Sequence, residues 1–228
     1  MNNYDEELKK VKYHVIDTLK HVRAANENLQ RLLENYEKDF LSFPNIIIKI
    51  DDVIDRYPNT VIGKICANSF KYSSSYIDNE SAVLLFIKDL TERIMKHDLS
   101  KISGLEYEGY KDVVFKLAGL EHGTKEHTKA IAELDEPFKL HAKANRHHPE
   151  YFSVDNVQSV VEKMDIVDFT EMILDWTAAA ICRGFKFRLS SVEHKRETLD
   201  LDDITVEIIQ RNIKLILPED LVINDIKK

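Results

Sequence analysis

The sequence predicts an all-α fold, a helical bundle of long elements with few turns. Two observations carry this. Glycine and proline are scarce, 6 and 5 in 228 residues, where average usage is roughly 7% and 5%. Sheet-rich folds need such turn residues at short intervals. Apolar side chains also recur in alternating steps of four and three, which draws one stripe along a helix. The apolar fraction of 43% is enough for a packed core, so a chain disordered throughout is excluded. The length suits a single domain over residues 1–228.

The first helix is expected from about Tyr4 to Lys38, with Val11, Val15, Thr18, Val22, Ala25, Leu29, Leu32 and Tyr36 as its apolar side. His14 and His21, seven apart, share a face at the edge of that stripe. Phe43-Pro44 breaks the chain, Ile46 to Ile54 suits a short helix, and Tyr57-Pro58-Asn59 is a turn. Lys71 to Asn79 is expected as a mobile polar loop. A second long helix starts near Asn79 or Ser81 and carries Val83, Ile87, Leu90 and Ile94, with His97 on the buried face at its end. Residues 105–118 are expected to be helical, and Gly119 and Gly123 bracket a turn. Thr124 caps a helix to about Leu134. Asp135-Glu136-Pro137 restarts the helix; it carries His141, reaches His147, and is ended by Pro149. A further long helix is expected from Val157 to Ile181, with Asp165, Asp168, Glu171, Asp175 and Trp176. The last runs from about Asp202 to Leu217 and is stopped by Pro218.

The net charge is −8. Binding to duplex nucleic acid is mostly phosphate neutralisation by Lys and Arg, so duplex nucleic acid is not an expected partner. Cys66 and Cys182 lie far apart without a C-x-x-C pair. That argues against a disulfide scaffold or structural zinc finger, and both thiols are expected reduced and buried. No run approaches the ~18 apolar residues of a membrane span. The charged N-terminus lacks an apolar leader core. The chain is therefore expected to be cytoplasmic, away from membranes.

The histidines are placed unevenly. His97-Asp98 ends a buried helical face, and His141, His147 and His148 crowd into eight residues. Imidazoles and carboxylates on several packed helices are what a divalent metal site in a bundle needs. Taken singly, each has a blander explanation. His122, His127 and His194 suit solvated surface positions. Asp168 and Asp175 suit a solvated helix face, and Lys101 a surface ion pair.

Taken in order, His21, His97-Asp98, His141, His147-His148 and Asp175 resemble the HD-domain superfamily of metal-dependent phosphohydrolases. His21-Val22-Arg23-Ala24-Ala25 resembles that family's first motif, and His97-Asp98-Leu99-Ser100-Lys101 its second. Asp175, in Met172-Ile173-Leu174-Asp175-Trp176, matches the last. More narrowly, these blocks and His147-His148-Pro149-Glu150-Tyr151 resemble a little-characterised HD-like family of bacteria and their phages. The resemblance covers roughly residues 11–182. The 76 residues from His21 to His97 exceed the usual gap. Residues 40–80 are accordingly expected as an insertion or lid, and about 198–228 as a C-terminal helical extension. Asn145-Arg146-His147-His148 stands where the narrower family tends to have Asn-Pro-His-His.

The resemblance implies one or two divalent ions (Mn, Fe, Zn, Ni, Co or Mg), with Asp98 bridging or orienting them. His21, with His14 as its competitor, His97 and Asp175, with Asp168 as its alternative, would hold the first. His141 with His148, or His147 in its place, would hold the second. Asp98 and Lys101 would take part in catalysis. Lys143, Arg146 and His147 would contact substrate phosphate, with Glu171 orienting a ligand from behind. The implied reaction is hydrolysis of a phosphomonoester or phosphodiester, in a nucleotide or signalling nucleotide, and the implied partner is a small phosphorylated substrate. Homo-oligomers stay open. Two other classes compete: a metal- or nucleotide-binding sensor without turnover, and a helical interaction protein built on the N-terminal stripe.

Overall fold

The computed structural model describes residues 3–104, 106–120, 124–153 and 160–226. His122, Gly123 and the expected helix start at Val157 lie outside them. The described residues form an all-α bundle of twelve helices, with one two-residue parallel strand pair, β1 (Phe187–Arg188) and β2 (Val222–Ile223). No helix among them is long and apolar enough to cross a membrane.

The first helix, α1 (Asn3–Asn35), is followed by α2 (Phe43–Ile48), α3 (Ile50–Arg56), α4 (Val61–Asn68) and α5 (Asn79–Ile94). The middle of the chain contributes α6 (Ser100–Ser103), α7 (Tyr107–Ala118), α8 (Lys125–Ala132) and α9 (Asp135–Ala144). The last third contributes α10 (Ile166–Ile181), α11 (Ser190–Leu199) and α12 (Asp203–Ile216). The spacing of four and three misses α11, which is polar along most of its length and buries Val192 alone.

Helix α10 is the axis of the bundle and packs on α1, α5, α12 and α4. Every residue from Ile166 to Leu174 is buried, as befits a helix apolar nearly all round. It starts at Ile166 rather than near Val157 because Asp165 caps it. The Asp165 carboxylate accepts from the Val167 and Asp168 amides, and the Asp168 carboxylate accepts in return from the Asp165 amide. Asp168 and Glu171 are therefore carried into the interior, where each needs a partner.

Helix α1 buries the expected stripe at Thr18, Ala25, Leu29 and Leu32 and half-buries Val11, Val15 and Val22, and its buried face extends to neighbouring positions. His14, Thr18, Ala24, Ala25, Asn28, Leu29 and Leu32 face inward. Polar residues on that face find partners, as where Asn28 donates to Thr177 of α10 at 3.0 Å.

Residues 40–80 are not a lid. Phe43, Ile46, Ile47, Ile50, Ile62, Ile65 and Tyr72 are buried in the main core, with α2 against α5 and α4 against α10. The expected loop at 71–79 is tied down, with the Tyr72 hydroxyl on Asp89 and Ser74 on Asp51. The C-terminal segment is equally integral. Asn212 of α12 accepts from the Phe43 amide, and Asp202 and Thr205 accept from the first amides of α4. Ile208, Ile209, Ile213 and Ile216 complete the core beside α1 and α10. Cys66 is buried, and burial pushes its thiol up to about 12. Cys182 is only half-buried.

Candidate metal centre

Two adjacent residues of a regular helix point about 100° apart and cannot face one site. His97 and Asp98 do so because α5 ends at Ile94 and the chain turns, with Asp98 at φ 59°. Asp is among the few side chains that tolerate this left-handed region. Both residues are buried, and their side chains meet those of α1, α9 and α10.

His21, His97, Asp98 and Asp175 form the first group. His21 Nε2 lies 2.8 Å from Asp175 Oδ1, 3.2 Å from His97 Nε2 and 3.3 Å from Asp98 Oδ2. His97 Nε2 is 3.2 Å from Asp175 Oδ1. His141, His147 and His148 form the second group, two of them beside the other oxygen of the same aspartate. His141 Nε2 is 3.0 Å and His147 Nε2 3.8 Å from Asp98 Oδ1. Each group presents one ligand atom per residue within 4.8 Å of the others, as a bound metal ion requires. Asp98 thus offers Oδ2 to one group and Oδ1 to the other.

The outer nitrogens are engaged from behind. Glu171 Oε1 accepts from His97 Nδ1 at 3.1 Å and from His147 Nδ1 at 3.2 Å. Glu106 Oε1 accepts from His141 Nδ1 at 3.2 Å. Cys182 Sγ lies 3.8 Å from His21 Nδ1. Acceptors at Nδ1 favour the proton there, so a ring that gives up its second proton keeps the Nε2 lone pair inward, which is how protein imidazoles are prepared for metals. Four buried atoms, Asp98 Oδ1 and the Nε2 atoms of His141, His147 and His148, have no hydrogen-bond partner. Orphaned buried polar atoms are rare and ask for an explanation; one shared cation meets it.

Electrostatics follow the same grouping. Burial works against charge on Asp98, but Lys101 and His97 outweigh it and hold the carboxyl well below the usual range. Asp175 is held low, against burial, by hydrogen bonds from His21 and His97. Burial pulls His21 down, yet Asp175, Cys182 and Asp98 together lift it to about 9. His97, against the same burial, rises to about 10 beside Asp98, Asp175 and Glu171. His148 is pushed down to about 3 by burial and by its neighbour His147, so its ring is neutral. Lys101 Nζ lies 2.6 Å from Asp98 Oδ2. Burial opposes charge on Lys101, but Asp98 and Asp175 raise its pKa.

The cluster opens to solvent on one side. The side chains of His21, Asp175 and Lys101 are 12%, 17% and 21% exposed, against 0–1% for His97, Asp98 and His141.

The structure separates the paired alternatives. His14 donates from Nε2 to the Lys101 carbonyl at 2.7 Å and stacks on Tyr110, away from the cluster. His21 is the α1 histidine that joins it. Asp168 faces Arg93 and Arg146, so Asp175 is the α10 aspartate in the cluster. Both His147 and His148 join it, from the turn after α9 rather than from the helix. The three residues expected at the substrate phosphate sit in different settings. His147 is a buried member of the donor set. Arg146 is held on Asp168 through Nε at 2.9 Å and Nη2 at 2.7 Å. Lys143 is exposed on α9 and contributes nothing to the cluster. Glu171 sits behind two of the imidazoles, as expected. Neither Glu106 nor Cys182 is suggested by the sequence, because each reaches its histidine only across the fold.

Fold and site together define a helical protein with a buried histidine–carboxylate cluster competent to hold a metal ion. Residues 62–215 match a family of unknown function (DUF5662), and the chain belongs to that family. No curated protein and no solved structure matches the chain.

Proposed function

We propose that the protein is a metal-dependent phosphohydrolase of the HD-domain type, acting on a phosphomonoester or phosphodiester such as a nucleotide. One observation carries the reading: two groups of inward-facing Nε2 atoms and carboxylates meet on the two oxygens of a single buried aspartate. Carboxylate-bridged pairs of divalent ions are the usual device for in-line displacement at phosphorus. In this reading Asp98 would serve both groups, His21, His97 and Asp175 would hold one ion with it, and His141, His147 and His148 would hold the other. When bound, divalent ions make water nucleophilic near neutral pH and neutralise phosphoryl charge.

The chain's own residues supply the rest. Glu171 and Glu106 hold three imidazoles by their Nδ1 protons and so fix where the Nε2 atoms point. Lys101 keeps a cationic ammonium at the solvent-open edge, where it can meet a phosphoryl oxygen. Mixed imidazole and carboxylate ligands suit several first-row metals. The neutral His148 ring offers an imidazole nitrogen to the second group.

The test is elemental analysis of the purified protein, followed by a phosphatase and phosphodiesterase screen with each candidate metal. Two equivalents falling to one in His141→Ala and His148→Ala support the dinuclear reading. One equivalent throughout reduces it to a mononuclear site. Bound metal with no turnover on any phosphate ester favours the sensor class, and absence of metal removes the reading.

A further inference from the structure

Behind the donor atoms lies a cavity of about 400 Å³, walled in part by His97, His147 and Glu171. Small-molecule sites commonly have this size. The two imidazoles turn their Nδ1 atoms to Glu171 and their Nε2 atoms to Asp98. None of His21, Asp98, Lys101, His141, His148 and Asp175 lines the cavity. It is therefore on the far side of His97 and His147 from the donor cluster and is not the solvent-open edge where Lys101 sits.

Four cationic side chains converge on it: Lys71, Arg93, Lys96 and Arg146. The two guanidiniums are already fixed. Arg93 Nη1 donates to Asp168 at 2.8 Å and its Nη2 pairs with Glu171, while Arg146 grips Asp168 with two N–H groups. A guanidinium has five N–H donors, so Arg146 keeps others for a second acceptor. A held guanidinium binds an anion with little further loss of rotamer freedom. Lys96 is exposed and makes no ion pair among the described residues. The acids of the wall are mostly engaged. Asp89 takes Lys71 and the Tyr72 hydroxyl, Asp165 caps α10, and Glu171 serves two histidines and Arg93. An entering cation would find Glu92 alone without such duties; an entering anion would find Lys96 and the remaining donors of Arg146.

We propose that this rear cavity is a second binding site, taking a small phosphate-bearing anion on Lys96, Arg146 and Arg93, separate from the metal centre. The inference goes beyond hydrolysis at the donor cluster and does not depend on it. Glu171 is the wall between the two, so an occupant would lie one side chain away from His97 and His147.

The experiment is calorimetric titration of the full chain with inorganic phosphate and with pyrophosphate, before and after metal removal by a chelator and dialysis. Binding is expected to persist in the chelated protein. Loss of one charge-assisted contact in Lys96→Ala should weaken it about tenfold, and Lys101→Ala, on the opposite side, should leave it within about twofold. Lys96 is exposed, so circular dichroism of that variant should match the wild type. Absence of binding after chelation overturns the proposal. So does a loss under about threefold in Lys96→Ala, or a larger loss in Lys101→Ala, which would assign the anion to the donor side. A failed phosphatase screen leaves this outcome untouched, because the chelated protein carries the test.

Discussion

Glu171 is the most informative position to perturb, because it holds two of the candidate metal-binding imidazoles from behind. Its Oε1 accepts from His97 and His147, and its Oε2 pairs with Arg93. It is nearly fully buried, and those partners hold its carboxyl well below the usual range despite the burial. Glu171→Gln keeps the volume and removes the charge. The amide can offer oxygen either to the two imidazoles or to Arg93, but not to both. Whichever side faces the NH₂ group meets donor against donor. Hydrogen bonds to charged groups are worth about 1.5–3 kcal/mol each. Loss of an outer partner of ligating histidines typically costs 10–100-fold in metal affinity, about 1.4–2.7 kcal/mol. Both figures describe one mis-paired contact of this kind, and they agree. The expected result is therefore a 10–100-fold rise in the metal dissociation constant at unchanged stoichiometry and unchanged helicity. Calorimetry with a competing chelator reads the constant, and circular dichroism reads the helicity. An unaltered metal constant would refute the claim that Glu171 sets the imidazoles.

Three further outcomes are expected. Asp168→Ala strands Arg93 and Arg146 and should cost about 2–3 kcal/mol in urea unfolding, less than the 3–5 of a fully buried pair because Arg146 is 42% exposed; metal stoichiometry should not change. In the metal-stripped protein, His21 and His97 have folded pKa values of about 9 and about 10, above the unfolded ~6.5. Their contribution is then complete below about pH 6.5 and is lost as pH rises through 9 to 10, while the contribution of the lowered Asp98 and Asp175 is complete above about pH 4 and lost in acid. Thermal melts should show a plateau near pH 5–6.5 and an alkaline decline, and a flat profile to pH 10 would contradict it. Because metal binding displaces those imidazole protons, metal affinity should rise over the same alkaline range. Cys182→Ala removes the neighbour of His21 Nδ1 and should weaken metal binding by less than about tenfold, the long 3.8 Å contact being a weak one; Cys182→Ser, which retains an acceptor, should restore most of it, and equal losses in both variants would deny the contact a role.

Much of this site is legible from sequence order, and the reason is local. Asp168, Glu171 and Asp175 share one side of α10 by spacing alone, and His97 continues the apolar spacing of α5 just past its end at Ile94. What spacing cannot decide is which carboxylate meets which partner. Asp168 and Asp175 look equivalent until α5 brings Arg93 to one and α1 brings His21 to the other. Arg93 is four residues before His97, so its presence on that face is a readable hint. Glu106 and Cys182 carry no comparable hint. Glu106 is the residue before α7 and Cys182 the one after α10, and each meets its histidine only through packing. Residues 40–80 look insertable because a long gap in a motif is easily taken for a loop. Their buried isoleucines and Phe43 show that the gap is core. A polar helix such as α11 hides for the opposite reason: it buries too little to leave a stripe.

The left-handed turn at Asp98 ties these strands together. A non-glycine residue at φ 59° costs on the order of 1 kcal/mol against a right-handed conformation. Continuing α5 through residue 98 would remove that cost and keep its helical hydrogen bonds. It would also swing the carboxylate about 100° away from His97. Oδ2 would leave His21, and Oδ1 would leave His141 and His147. The chain instead keeps the strained conformation, buries the carboxylate among four imidazoles and Lys101, and leaves one of its oxygens without a hydrogen bond. No contribution to packing accounts for that combination, since a small apolar residue would fill the space without desolvating a charge. Strain retained together with a buried carboxylate facing four imidazoles is what the proposed metal site would account for. Because those two oxygens point toward separate groups of imidazoles, an acid at the residue after His97 lets one side chain face both groups.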